Sequence, residues 1–118
     1  MTPPPQTAMD APAKPGRWLM MTILGLAMLQ PISAGFWLSG FEHAAKMHAI
    51  GAGLLLLVAL LQLIGATVSW MRRRADPRIV GRGLGILMIL AVEAWAGRNS
   101  EFWLHVPVGV AIIMRLRR

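Results

Sequence analysis

Four apolar blocks, separated by short polar gaps, constrain the fold of this chain more than any other feature of its sequence. The blocks cover residues 18–38, 44–70, 79–96 and 102–114. A helix that crosses a bilayer needs roughly 20 apolar residues, with about 17 to 25 tolerated. The first three blocks meet this requirement, whereas the short fourth block crosses only if polar residues at its flanks extend it. The sequence therefore predicts an all-α protein, a transmembrane four-helix bundle of up-down-up-down order.

The composition supports a membrane protein and excludes several other classes. Of the 118 residues, 56% are hydrophobic and only 14% are charged, whereas a soluble domain of this size needs far more polar surface. The net charge of +7 does not indicate nucleic acid, because the basic residues lie between the apolar blocks without interleaved aromatic residues. The chain has no cysteine and no tyrosine, which excludes disulfides, thiolate-bound metals and phenolic proton chemistry. The expected partner is the lipid bilayer.

The distribution of basic residues predicts the orientation. They cluster before the first block, between the second and third blocks and after the fourth, while the two remaining gaps are nearly balanced in charge. Under the positive-inside rule both termini and the middle gap lie in the cytoplasm, which gives an N-in/C-in topology. We therefore expect a multi-pass protein of the bacterial inner (cytoplasmic) membrane. The basic residues concerned are Lys14, Arg17, Arg72, Arg73, Arg74, Arg78, Arg82, Arg115, Arg117 and Arg118.

The segment before the first block has a different composition. Residues 1–17 are rich in proline and small residues, which is typical of a disordered tail, here a cytoplasmic one. The first block and its basic start also resemble a signal peptide, with "ISA" at residues 32–34 as a candidate cleavage site. Cleavage would leave three spans.

Two histidines lie near the starts of apolar blocks, His48 in the second and His105 in the fourth. In the predicted topology both blocks run from outside to inside, so both rings fall at a similar depth near the outer face. The second and fourth helices lie diagonally across the bundle, and a spacing of about 8–10 Å between neighbours makes this diagonal roughly 13 Å. That gap suits a flat macrocycle held by one imidazole from each side, as in cofactor sites of other bundles. Two histidine ligands leave no open position on a haem iron, so such a haem would carry electrons.

Small residues lie one turn beyond each histidine. Ala52 follows His48 at the i+4 position with Gly51 beside it, and Gly109 follows His105. They would leave room for the edge of the macrocycle. The competing interpretation is that both histidines lie at the membrane interface, partly exposed to water, and have no special function. Alternative ligands are His43, in the outer loop, and Met21 or Met47.

Glu93, in the third block, lies in the same outer layer and has three interpretations. In the first it accepts a hydrogen bond from a ligand imidazole, in the second it relays protons, and in the third it forms an ion pair with Arg98. Gln30 and Gln62 lie deeper, and we expect each to form an interhelical hydrogen bond worth about 1 kcal/mol, with a quinone contact as the alternative.

The segment "LHVPVGVAI", the paired histidines at helix starts and the four-span layout resemble those of small bacterial four-helix membrane proteins, namely cytochrome b561 and one half of haem A synthase. The resemblance covers about Trp18 to Arg118. It implies a helical bundle that holds b-type haem through histidines on different helices, with His48 and His105 as the matching axial ligands.

The chain departs from both families. Cytochrome b561 proteins hold two haems, one near each face, but no histidine here lies near the inner face, so at most one haem b is expected. The Glu-His-Arg signature of haem A synthase is also missing, because no arginine follows Glu42 and His43 in "FEHAAK". Synthase activity is therefore not implied.

Two classes of function remain open at the level of sequence. The first is an integral membrane b-type haem protein that carries electrons between quinol and an outer-face partner, or the haem-bearing anchor subunit of an oxidoreductase. Quinone, other membrane subunits and a second copy of the chain are its candidate partners. The second is a haem-free small transporter, or a structural or accessory membrane subunit. Small multidrug transporters have this length, but they depend on a glutamate in the first helix, whereas the mid-span carboxylate here is Glu93, in the third.

Overall fold

The computed structural model describes residues 15–116, which form four helices. They are α1 (Pro15–Leu38), α2 (Glu42–Met71), α3 (Pro77–Arg98) and α4 (Phe102–Leu116). Each predicted block falls within one helix, and the helices extend beyond the blocks by at most three residues. The predicted tail falls mostly outside the described residues, but its last three residues already belong to α1. Pro15 is tolerated there because the first turn of a helix leaves its N–H groups without partners in any case.

All three interhelical loops are short and begin with the same C-terminal capping motif. After α1, the N–H of Gly40 bonds to the carbonyl of Trp37, and the next N–H reaches back to Phe36. This is the Schellman pattern, which needs a left-handed residue at its centre. Gly40 supplies that conformation with φ 95°, but the equivalent residues after α2 and α3 are Arg73, with φ 54°, and Ser100, with φ 60°. The loops are tight enough to hold consecutive helices antiparallel.

The four helices pack in a closed ring. α1 contacts α2, α2 contacts α3, α3 contacts α4, and α4 returns to α1. Among the described helices, the diagonal pairs α1/α3 and α2/α4 have no Cα atoms within 8 Å of each other. The core is thin and is built around small and branched residues, which let the helices approach closely. It consists of Ile23, Ala27, Leu55, Ala59, Leu90 and Ile112.

The exterior of the bundle is apolar. Large hydrophobic side chains such as Trp70, Leu57 and Met88 are about half exposed on its surface, and no charged or polar residue among residues 17–116 is fully buried. An apolar exterior of this extent is suited to lipid rather than water.

Three of the helices are long and apolar enough to span a membrane, namely α1 from Arg17, α2 and α3. The fourth has 15 residues, which at a rise of 1.5 Å per residue is about 23 Å, less than the roughly 30 Å of a hydrocarbon core. The protein is therefore an all-helical membrane protein, and the full crossing of α4 and the N-in/C-in orientation stay predictions.

Candidate functional site

The imidazoles of His48 and His105 meet inside the bundle near one end. Their ring centroids are 6.0 Å apart and the ring planes are nearly perpendicular, at 85°. The two histidines belong to α2 and α4, the diagonal pair without close backbone contact. The rings therefore reach toward each other from opposite corners of the bundle, and both are half-buried.

The ring of His48 is anchored to α1. Its Nδ1 atom lies 3.1 Å from the carbonyl oxygen of Gln30 and 3.1 Å from the hydroxyl of Ser33. That hydroxyl already donates its single proton to the carbonyl of Gln30, over 2.9 Å. Because both partners of Nδ1 then act as acceptors, we infer that Nδ1 carries the proton and donates it. In the neutral imidazole the opposite nitrogen, Nε2, then has a free lone pair.

The ring of His105 is anchored to α3 in the same way. Its Nδ1 atom lies 3.1 Å from the carbonyl oxygen of Glu93 and 3.0 Å from the carboxylate Oε1 of the same residue. Both are acceptors, so Nδ1 again donates, and Nε2 of the neutral ring has the free lone pair. Gly97, one turn beyond Glu93, provides the space, since a Cβ atom at this position would lie 2.8 Å from Cε1 of the His105 ring. The absence of a side chain at Gly97 therefore permits this ring position.

A cavity of about 330 Å³ adjoins the two rings. Its walls come from all four helices, and most of them are aliphatic or small side chains. Five of the residues predicted to form the site line it: His48, His105, Ala52, Gly109 and Glu93. Two more polar features face this region, because Oε1 of Gln30 and Oε2 of Glu93 are buried without a hydrogen-bond partner, and both residues line the cavity.

The two glycines predicted for the site, Gly51 and Gly109, leave space for polar side chains of neighbouring helices. A Cβ atom at Gly51 would overlap the amide nitrogen of Gln30, and one at Gly109 would lie 2.7 Å from Oε1 of Glu93. Gly51 does not line the cavity. Each of the two glycines thus admits a polar side chain from the neighbouring helix, and the room for a macrocycle edge stays a prediction.

The structure excludes one of the three interpretations of Glu93. Its carboxylate is hydrogen-bonded to the ring of His105, whereas Arg98 is exposed and forms no ion pair with it. The ion-pair interpretation was therefore wrong, because the carboxylate points inward while the arginine lies at the surface. Arg98 does not line the cavity either.

The remaining candidate ligands lie elsewhere. His43, Met21 and Met47 are exposed and do not line the cavity. Gln62 donates to the sulfur of Met20 across α1 and α2, over 2.8 Å, as an interhelical bond should. The amide of Gln30 instead donates to its own helix, at the carbonyl of Leu26, so the expected interhelical bond of that side chain was wrong.

Sequence reasoning missed three contributors to the site, namely Ser33, the carbonyl of Gln30 and Gly97. Gly97 had a usable signal, because it follows Glu93 at the i+4 position and therefore shares its helix face. Ser33 had none, since a serine in an apolar span often bonds only to its own helix. Within the described part of the chain, no group of three or more histidine, cysteine or acidic residues could hold a metal ion. The site therefore offers two anchored imidazoles beside an apolar cavity.

Comparison with known proteins adds no relative: no family model matches the chain, and neither a curated protein nor a solved structure matches it significantly. Its class is consequently defined by its own fold and site. It is a small all-helical membrane protein with a pair of anchored histidines inside the bundle.

Proposed function

We propose that the protein is a b-type haem protein of the bacterial inner membrane that binds one haem between His48 and His105. It would carry electrons between quinol and a partner at the outer face, or act as the haem-bearing anchor subunit of an oxidoreductase. The proposal includes an N-in/C-in topology in which α4 crosses with the help of its polar flanks. The single observation that carries it is the pair of imidazoles from diagonal helices, each with a free Nε2.

The spacing of the rings fits two ligands of one iron. Metal–imidazole bonds are about 2 Å long, and the ring centre lies roughly 1 Å behind the ligating nitrogen, so two axial imidazoles would have centroids roughly 6 Å apart. The centroids of His48 and His105 are 6.0 Å apart. The absence of a three-residue metal cluster does not count against this arrangement, because the porphyrin supplies the other four iron ligands.

The hydrogen bonds at Nδ1 also support a ligand role. Histidines that ligate a metal almost always donate their other N–H to a carbonyl or carboxylate, which fixes the tautomer and makes the ligating nitrogen more basic. His48 has this bond to Gln30 and His105 has it to Glu93.

The cavity is compatible with a flat cofactor. Small-molecule sites have volumes of about 300–1,000 Å³ and mostly apolar walls, and this cavity of about 330 Å³ lies at the lower end of that range. A bound haem would supply one-electron redox chemistry, and His48 and His105 would be the residues that hold it. The chain itself would hold both imidazoles in their neutral form and keep water from the metal with apolar side chains.

The decisive experiment is a visible spectrum of protein purified after expression with ample haem. We expect reduced-minus-oxidised bands of a b-type haem, with one haem per chain at most. His48→Ala and His105→Ala should each abolish the six-coordinate spectrum, because each removes one axial ligand. His43→Ala is the matched control, since this exposed histidine lies in the first turn of α2 and should leave the spectrum unchanged.

Two results would contradict the haem proposal. One is a colourless protein that is folded by circular dichroism and monodisperse in detergent despite added haem. The other is a pigment that survives the double substitution of His48 and His105, which would assign the ligands elsewhere.

A haem-free transporter is the second candidate, and one observation favours it. Oε2 of Glu93 is a buried carboxylate oxygen without a partner beside an open cavity, as a proton-coupled carrier would require. A perpendicular pair of rings at 6.0 Å is also an ordinary edge-to-face contact. This candidate predicts pH-driven substrate flux into vesicles that Glu93→Gln abolishes and that does not depend on added haem.

A further inference from the structure

A second cavity, of about 1500 Å³, lies toward the opposite end of the bundle from the histidines. Its walls are residues of α3 between Arg78 and Ile89 and residues of α4 from Pro107 to Leu116, and Met20 of α1 also contributes. The two helices contact each other closely at Gly97 and Gly109 near the histidine end, whereas toward the other end this cavity lies between them. We call it the α3–α4 groove and define it by Arg78, Gly81, Arg82, Gly85, Ile89, Ala111, Met114 and Arg115.

Three arginines border the groove on both sides. Arg78 and Arg82 are four residues apart and therefore share one face of α3, while Arg115 is in the last turn of α4. All three are exposed, and the ion pair found among residues 15–116 joins His105 and Glu93, not these arginines. The nearest acidic residue in the sequence, Asp76, caps α3 by accepting from the backbone N–H of Arg78. No carboxylate of the described chain thus neutralises these three cations.

Below the arginines the groove is apolar and has an open wall. A Cβ atom at Gly81 or Gly85 would meet no other atom within 4 Å, so the glycine face of α3 borders open space. The wall from Arg78 to Ile89 covers eleven residue steps, or about 16 Å of helix. That is close to half the thickness of a hydrocarbon core, about 15 Å. One acyl chain therefore matches the groove in length and in polarity.

From this combination we propose that the α3–α4 groove binds one phospholipid with a negatively charged head group. Its phosphate lies among Arg78, Arg82 and Arg115, and one acyl chain follows the glycine wall of α3. Basic pockets between membrane helices have this chemistry. A free phosphate ion would use the arginines but leave the apolar wall uncovered. The arginines of the α2–α3 loop, at residues 72–74, do not line the groove and serve as a comparison.

Native mass spectrometry of the detergent-solubilised protein tests this directly. The protein is mixed with equal amounts of phosphatidylglycerol, which is anionic, and phosphatidylcholine, which is zwitterionic, and the retained lipid is counted. We expect one retained phosphatidylglycerol per chain. Arg78→Gln, Arg82→Gln and Arg115→Gln should each weaken retention about fivefold, whereas Arg72→Gln should not.

A second set of variants tests the apolar wall without changing charge. Gly85→Leu places a side chain in the open groove and should abolish retention. Gly65→Leu is its control, because Gly65 also borders open space but lies on α2, outside the groove. The histidine double variant should retain the lipid normally, since this site is independent of the proposed haem.

Three outcomes would overturn the proposal. Equal retention of both lipids would remove the role of the arginines. Loss of retention in the arginine variants but not in Gly85→Leu would indicate a general surface charge effect. Full displacement of the lipid by millimolar inorganic phosphate would indicate an anion site without an acyl groove.

Discussion

At the scale of single residues, few polar side chains reach the interior. Most of those that do form hydrogen bonds with the imidazole of His48 or of His105. His48 and His105 lie near the starts of their helices, and each donates from Nδ1 to a carbonyl of the preceding helix. Both α-hairpins, α1–α2 and α3–α4, therefore present a histidine in the same way. The second hairpin adds the carboxylate of Glu93, which the first lacks. The two rings are consequently anchored in the same way, but only the ring of His105 also has a carboxyl group as a partner.

The close approach of Gly97 to His105 leads to a prediction. Gly97→Ala would place a methyl group 2.8 Å from Cε1 of the ring, and the hydrogen bonds to Glu93 prevent the ring from yielding easily. Overpacking of this kind costs about 1–3 kcal/mol. We expect a lower melting temperature and reduced haem content, measured by thermal unfolding in detergent and by the ratio of haem to protein absorbance.

Gly85→Ala is the control for that substitution, since it lies on the same helix and its Cβ would meet nothing within 4 Å. It should be neutral or slightly stabilising, because alanine is the better helix former. If Gly97→Ala behaves like Gly85→Ala, then the ring of His105 is not held against α3.

At the scale of elements, the loops contain residues in strained backbone conformations. Each of the three Schellman turns needs a left-handed residue, and only the first has glycine there. A side chain in this conformation costs roughly 1–2 kcal/mol. Arg73 and Ser100 therefore carry a cost that Gly40 does not.

Ser100→Gly should consequently stabilise the protein by about 0.5–1 kcal/mol, with part of the relieved strain offset by the greater freedom of glycine when unfolded. Thermal unfolding in detergent measures the change as a melting temperature raised by a few degrees. Ser39→Gly is the control, since Ser39 precedes the left-handed position and its hydroxyl donates to Gly35. An increase of equal size in Ser39→Gly would show that strain at Ser100 is not the cause.

The loops also provide a test of membrane orientation. Because the chain has no cysteine, single cysteines at the exposed positions Ser39, Asn99 and Arg74 would be the sole thiols. We expect a membrane-impermeant maleimide to label Ser39→Cys and Asn99→Cys on intact cells, and Arg74→Cys only after permeabilisation. Labelling of Asn99→Cys and Arg74→Cys from the same side would contradict the crossing of α3.

At the scale of the whole molecule, the bundle is a ring of four helices with a thin core and a cavity beside its two histidines. The diagonal helices α2 and α4 have no close backbone contact in the described structure, and cavities lie near both ends. A ligand bound by both histidines would therefore add a further link across the diagonal, beside the contact of the two rings. Its binding energy would stabilise the folded state by mass action.

We expect the haem-loaded protein to unfold on the order of 10 °C above the haem-free protein, as for a ligand present far above its dissociation constant. Differential scanning fluorimetry in one detergent, with and without added haem, measures this difference. His48→Ala and His105→Ala should lose the increase, while His43→Ala should keep it. An increase that survives in both ligand variants would point to nonspecific haem association.

Much of the architecture was predictable because it depends on local pattern. The four apolar blocks correspond to α1–α4 with ends that differ by at most three residues, since long apolar runs and the polar gaps between them are properties of the chain itself. The placement of His48 and His105 near the starts of α2 and α4 followed from the same pattern. Haem binding, electron transport and the resemblance to cytochrome b561 stay predictions.

What the sequence by itself determined is the class of the protein, an all-helical membrane protein of four helices, because hydrophobicity and length act residue by residue along the chain. Only the tertiary structure decided which side chains meet. In the folded protein Glu93 bonds to His105 instead of Arg98. Gly51 and Gly109 leave space for polar side chains of neighbouring helices. Ser33 and Gly97 lie beside the two rings. These outcomes depend on helix rotation and on the depth of contact between neighbours. Such quantities arise from packing across helices, and among these outcomes only the place of Gly97, one turn beyond Glu93, had a signal in the spacing along one helix.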